Sequence, residues 1–64
     1  MTYRVYFLHD DRIRKVEDLI DCYHDDDASE IAIAMLAVRG GFTAVEVWDG
    51  ERKVYALAPT RKTG

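Results

Sequence analysis

The sequence predicts an α+β domain in which a four-stranded, mainly antiparallel sheet carries one helix on one face. One stretch alone, from Asp27 to Arg39, combines a helix start, a long apolar body and a helix stop. Strand-like sequence lies on both sides of it, and Asp49-Gly50 between the last two strands is typical of a hairpin turn. The element order is therefore β-β-α-β-β, within a single small domain spanning residues 1–64.

The first two strands are predicted to form a hairpin. Tyr3–His9 is rich in aromatic and β-branched residues and has two apolar faces, as expected of a central strand. Residues 10–12 are expected to form the turn. The region from Ile13 to about Cys22 carries frequent charges, which suit an edge strand. Its alternation breaks at Glu17-Asp18, where we expect a bulge.

The helix is predicted from its two ends. After a connector at residues 23–26, Asp27 is expected to be the N-cap, because Glu30 follows three residues later as in a capping box. Three consecutive aspartates, residues 25–27, would also face the positive end of the helix dipole. Gly40 is expected at the left-handed position after the last turn, next to Arg39.

The second half of the sheet is predicted from Phe42–Asp49 and Arg52–Ala58, with Pro59 ending the last strand and a frayed tail at residues 60–64. Tight turns would place the second and fourth strands at the edges. This favours the strand order 2-1-3-4 with all pairs antiparallel. The order 2-1-4-3, with a parallel central pair, remains as the alternative.

The predicted core joins one helix face to one sheet face. Alternation and helical periodicity select its members, which are Val5, Phe7, Val45, Val47, Ala28, Ile31, Met35 and Val38. Ala32, Leu36 and Ala34 would flank this face. Ile33 falls on the opposite side of the helix, either as a single exposed side chain or as a contact for a partner.

The opposite face of the sheet is expected to be open, since one helix covers only one side. We predict an interaction surface there, made of Arg4, Tyr6, Leu8, Glu46, Trp48 and Tyr55. Converging aromatic, apolar and Arg side chains are typical of interfaces, and the partner would be a second copy (a homodimer) or another protein. Aromatic side chains shielded by charged neighbours would explain the same pattern without a partner.

Single-stranded nucleic-acid binding, by base stacking on the same aromatic face, is the alternative function. The net charge of −3, from twelve acidic and nine basic residues, weighs against it. No signal-like start is present, and the longest apolar run, Ile31–Val38, is far below the roughly 20 residues that span a bilayer. We therefore expect a cytoplasmic protein with no membrane partner.

Reactive side chains are sparse. Cys22 and His24 are two residues apart beside several carboxylates, which makes a metal or redox site the third and weakest hypothesis. Helix capping explains the aspartate run better than Mg²⁺ or Ca²⁺ binding, because no loop of alternating oxygen ligands is present. We expect no catalytic residues, no metal and no cofactor, and hence no enzyme.

Several segments together resemble a family of small uncharacterised bacterial proteins of about this length. The resembling pieces are residues 2–8, Cys22 with the acidic run and the Ala-rich helix, and residues 46–50 with Arg52 and Val54. The resemblance implies a single β-β-α-β-β domain and a bacterial cytosolic setting. It implies no activity and no site residues, because the family carries no assigned function.

Overall fold

The computed structural model describes residues 2–57, which form a four-stranded antiparallel sheet and one helix. The elements are β1 (Tyr3–His9), β2 (Arg12–Leu19), α1 (Asp25–Val38), β3 (Ala44–Asp49) and β4 (Arg52–Leu57). The order across the sheet is β2-β1-β3-β4, and every neighbouring pair is antiparallel. The predicted fold class and strand order are confirmed, and the alternative with a parallel central pair is wrong. Ala58 and the predicted tail at 60–64 lie outside the described residues.

Both hairpins close through two-residue loops. Asp10 and Asp11 have φ of 54° and 65°, so both central residues are left-handed, as type I′ turns require. Aspartate tolerates this conformation better than most non-glycine residues. The β3–β4 loop places Gly50, with φ of 65°, at its first position. Because such loops match the twist of the strands, they fix β2 beside β1 and β4 beside β3.

Each hairpin contains one unpaired residue. In β2, Ile13 pairs with Leu8 and Lys15 with Phe7, which leaves Arg14 without a partner in β1. The predicted bulge at Glu17-Asp18 is therefore in the wrong place, and β2 ends at Leu19 rather than near Cys22. Glu17 and Asp18 lie in regular register on opposite faces of the strand, as consecutive residues do, and form ion pairs with Arg39 and Arg4 respectively. The second irregularity leaves Val54 unpaired in β4.

The helix begins three residues earlier than predicted, because the N-cap is His24 and not Asp27. His24 occupies the N-cap without a side-chain hydrogen bond, so the predicted Asp27–Glu30 capping box is wrong. The Asp25 carboxylate receives hydrogen bonds from distant side chains, which hold the first turn at that residue. At the other end the Arg39 N–H donates to the Met35 carbonyl at 2.9 Å. The left-handed glycine is Gly41, with φ of 94°, and not Gly40 as predicted.

The core lies between α1 and one face of the sheet. Its buried members are Tyr3, Val5, Phe7, Cys22, Ala28, Ala32, Val45 and Val47. The four predicted sheet residues are confirmed, but the predicted helix face is only partly right. Ala28 is buried and Met35 is half-buried, whereas Ile31 is 40% and Val38 is 84% exposed. The buried residues of the helix are Ala28 and Ala32, so its contact face is turned toward Ala32 relative to the prediction.

The helix does not lie centrally over the sheet. It packs mainly against β3, and also against β4 and β1. Its link to β2 is the side chain of Arg39, which donates to Glu17. Ile33 is 39% exposed, as its position on the wheel predicted. The described region contains no helix that is long and apolar enough to cross a membrane.

Candidate interaction site

The sheet face opposite the helix is organised in three rows that cross the strands. Paired residues of neighbouring strands point to the same side of a sheet. Across β2, β1 and β3 the rows are Ile13–Leu8–Ala44, Val16–Tyr6–Glu46 and Asp18–Arg4–Trp48. Apolar side chains therefore collect near the β1–β2 turn, and charged side chains collect at the other end of the face.

The apolar end forms what we call the open-face patch, made of Tyr6, Leu8, Ile13 and Val16. Tyr6 and Leu8 are half-buried, while Ile13 is 55% and Val16 is 46% exposed. No second layer covers the patch within residues 2–57. Sequence reasoning identified Tyr6 and Leu8 and missed the two β2 residues. The two-residue loop predicts that Ile13 faces Leu8, but the position of Val16 depends on the unpaired Arg14.

Trp48 is shielded by charged neighbours on the same face. Its Nε1–H donates to the Glu46 carboxylate, with 3.0 Å between Nε1 and Oε1. The Lys53 ammonium lies 5.5 Å from the centroid of the indole ring, within cation–π distance. Lys53 also lies 3.9 Å from the second Glu46 oxygen. The predicted surface residues Trp48 and Glu46 are thus hydrogen-bonded to each other.

Arg4 is engaged by Asp18 across the β1–β2 pair. Its Nε donates to Oδ1 at 2.9 Å, and a second nitrogen lies 3.4 Å from Oδ2. This hydrogen bond lowers the pKa of Asp18 from its usual value. A phosphate or a stacked base would have to displace these contacts and those around Trp48. Arg4 and Trp48 are thus each hydrogen-bonded to a carboxylate of the same face.

Tyr55 does not belong to the open face. It pairs with Val47, whose side chain is buried under the helix, and Tyr55 itself packs against the core cluster. The prediction that placed Tyr55 beside Trp48 is wrong. The cause is the unpaired Val54, which shifts the alternation of β4 by one residue after Lys53. Leu57 follows Tyr55 onto the covered face, opposite Val45.

Cys22 and His24 do not form a common site. Cys22 is buried in the core cluster, whereas His24 is exposed at the helix N-cap. Within residues 2–57, no three or more His, Cys, Asp or Glu side chains are grouped so that they would hold a metal ion. The weakest of the three functional hypotheses therefore gains no support from the arrangement of these residues.

A polar cluster that sequence reasoning missed ties the start of the helix to the sheet. We call it the Asp25 clamp, formed by Asp25 with Tyr3, Arg52 and Asp49. The Tyr3 hydroxyl donates to Asp25 Oδ1 at 2.8 Å. Arg52 donates to both Asp25 oxygens, at 3.0 and 3.2 Å, and to Asp49 Oδ2 at 3.0 Å. The elements α1, β1 and β4 thereby meet at the Asp25 carboxylate.

The electrostatics of the Asp25 clamp indicate a structural role. Hydrogen bonds from Arg52, and then from Tyr3, lower the pKa of Asp25. The same Asp25 hydrogen bond, followed by burial, raises the pKa of Tyr3 to about 12. A carboxylate held ionised and a phenol held neutral are both poor proton-transfer groups near pH 7. The cluster therefore locks α1 against β1 and β4.

The other end of the helix has its own attachment. The Arg39 side chain donates to Glu17 of β2, and its guanidinium carbon lies 5.4 Å from the centroid of the Phe7 ring. Phe42 also packs against Phe7, with 5.2 Å between the centroids of the Phe7 and Phe42 rings. The helix is thus fixed at both ends by a charged side chain that reaches the sheet.

The fold and surface define a class of molecule, namely a small α+β domain with one helix-covered and one open sheet face. No protein-family model, curated protein or solved structure matches the chain significantly. These comparisons supply neither a family nor an activity. Inference about function therefore has to start from the two sheet faces and from the charges around them.

Proposed function

We propose that the chain is a small non-enzymatic interaction module that associates with a second copy through its open sheet face. The observation that carries this proposal is the open-face patch, where Ile13 and Val16 are about half exposed beside Leu8 and Tyr6. Packing the open faces of two sheets together is a common arrangement in proteins, with about 10 Å between the sheets. The two helices would then lie on the outside.

The energetics favour a weak, concentration-dependent dimer. Complete burial of a large aliphatic side chain contributes about 1.5–3 kcal/mol, so a half-exposed one gains roughly half of that. Ile13 and Val16 of each copy would contribute most of this gain, and the less exposed Tyr6 and Leu8 would add less. The sum is comparable to the association cost of about 4–15 kcal/mol, which leaves a weak dimer. The ion pair of Arg4 with Asp18 would lie at the rim, where charged residues are usual. A different protein with an apolar surface is the other occupant that this patch would accept.

Leu8→Glu tests the proposal because it places a charge in the middle of the patch. Wild-type protein is expected to gain mass with concentration in sedimentation equilibrium, and Leu8→Glu is expected to gain less mass at the same concentrations. Val38→Glu is the matched control, since Val38 is exposed on the helix and far from the open face. A wild type that remains monomeric at the highest soluble concentration would contradict self-association through this face.

A further inference from the structure

The outer edge of β2 is a second surface at which another chain could bind. The strand order places β2 at the edge of the sheet, with no strand beyond it within residues 2–57. Residues 12–16 are all exposed. The outward backbone N–H and C=O groups of an edge strand are a template for another strand. The question is therefore which strand would fit against this edge.

In β2, positively charged residues precede Val16 and negatively charged residues follow it. Lys15 and Glu17 lie one residue away on either side, and Arg14 and Asp18 lie two residues away. Charged edge strands usually resist pairing because like charges meet across the new ladder. In an antiparallel self-pairing centred on Val16, Lys15 and Arg14 of one copy instead meet the carboxylates of Glu17 and Asp18 of the other.

We propose that β2 pairs antiparallel with β2 of a second copy, about a two-fold axis at Val16. This pairing joins two four-stranded sheets into one and places Lys15 opposite Glu17 and Arg14 opposite Asp18, each twice. Within residues 2–57 no carboxylate forms an ion pair with Arg14, which also lacks a partner in β1. Glu17 and Asp18 have intramolecular partners, but a carboxylate accepts more than one cation.

This contact is separate from the open-face contact. It uses the backbone edge and charged side chains of β2, whereas the open-face contact uses the flat side of the sheet. The copy-to-copy charge pairs are exposed, so salt screens them and the edge dimer weakens as ionic strength rises. Burial of apolar surface in the open-face contact has no such salt dependence.

A register-specific crosslink tests the proposal. The two-fold axis brings residue 16 opposite itself, and directly opposed Cα atoms in antiparallel strands are about 4.5–5.5 Å apart, within disulfide range. Val16→Cys in a Cys22→Ser background is expected to form covalent dimers under mild oxidation. Ile13→Cys is the matched control, because the same register separates the two copies of residue 13 by about six residues, or about 20 Å.

Three outcomes would overturn the edge pairing. The first is no dimer from Val16→Cys, the second is equal crosslinking of both cysteine variants, and the third is loss of the Val16→Cys crosslink when Leu8→Glu is added. Loss on adding Leu8→Glu would assign the crosslink to the open face. A persistent crosslink, together with a mass that Leu8→Glu leaves unchanged from wild type at every concentration, would instead uphold the edge contact and reject the open-face contact.

Charge swapping provides an independent measurement. An acidic variant, Arg14→Glu with Lys15→Glu, and a basic variant, Glu17→Lys with Asp18→Lys, are each expected to lose the Val16→Cys crosslink. Mixing the two is expected to restore it as a heterodimer. If the basic variant does not fold, because it also loses the Arg4 and Arg39 ion pairs, salt titration of Val16→Cys replaces it. A crosslinking yield that is unchanged between low and high salt would contradict the proposal.

Discussion

The two faces of the sheet both carry large apolar side chains from β1, but these side chains have very different surroundings. In β1, Val5 and Phe7 are fully buried, while their neighbours Tyr6 and Leu8 are half-buried. One face receives α1, and the other receives only the long side chains of its own strands. Burial in this protein is therefore decided by which face has a covering layer more than by residue type. Variants matched across the two faces separate these contributions.

The largest difference is expected between Phe7→Ala and Leu8→Ala. Phe7 is fully buried and contacts both Phe42 and Arg39, so its truncation should lower the free energy of unfolding by about 3–5 kcal/mol. Leu8→Ala should cost about 1 kcal/mol or less in the monomer, because water already reaches the side chain. Urea unfolding at low protein concentration measures both values. Equal losses would show that the open face contributes as much to the monomer as the core does.

The next largest effect on stability is expected from loss of the Asp25 clamp, which attaches α1 to the sheet. Asp25→Asn removes the carboxylate that Arg52 and Tyr3 share, so α1 loses its link to β1 and β4. We expect a lower thermal midpoint than for wild type. Asp26→Asn is the control, since Asp26 is exposed in the same helical turn and has no ion pair or side-chain hydrogen bond within the described residues. Similar midpoints for the two variants would argue against a structural role of the Asp25 clamp.

A pH series distinguishes the clamp from uncharged packing. The lowered pKa of Asp25 means that its contribution is present above about pH 3.8, its usual pKa, and is lost as pH falls through the folded value. The raised pKa of Tyr3 acts in the opposite direction. Its contribution is present below about pH 10, the unfolded value, and is lost as pH rises through about 12.

Equilibrium unfolding and tyrosinate absorbance measure this pH dependence. Unfolding free energy should fall at both extremes, and Tyr3→Phe should remove the absorbance change near pH 12 while leaving the acid branch in place. A Tyr3→Phe variant with an unchanged alkaline titration would show that Tyr3 is not the group responsible.

The smallest effects are expected from the two cation–π contacts, one on each face. Lys53→Met removes the ammonium over Trp48 and should change the unfolding free energy by about 0.5 kcal/mol or less, as is usual for exposed positions. Arg39→Met removes the guanidinium over Phe7 together with the Glu17 pair, and should cost more. Trp48 fluorescence is expected to change in the Lys53 variant alone.

Local patterns in the sequence were sufficient for the strands and for their order. The alternation of β1 and the two hairpin loops are properties of neighbouring residues, and they determine which strands are adjacent. The helix start was missed because the partners that hold Asp25 are 22 and 27 residues away, at Tyr3 and Arg52. No local capping pattern contains this information.

The candidate surface was predicted where alternation was unbroken and mispredicted where it was not. Arg4, Tyr6 and Leu8 lie on the expected face because β1 is regular up to that point. Tyr55 was assigned to the wrong face because it follows the unpaired Val54 in β4. Val16 was missed because it follows the unpaired Arg14 in β2. A single unpaired residue reverses every later side chain in a strand, and no residue type in these strands marks its position.

The central position of β1 has a consequence for synthesis on the ribosome. β1 is translated before all other elements, yet its inner edge is completed only when β3 arrives, beginning with the Thr43 N–H that donates to the Leu8 carbonyl at 2.8 Å. The β1–β2 hairpin is complete in the nascent chain well before that. Val5 and Phe7 therefore remain uncovered until the helix has been translated, and the four-stranded sheet is complete only after β4.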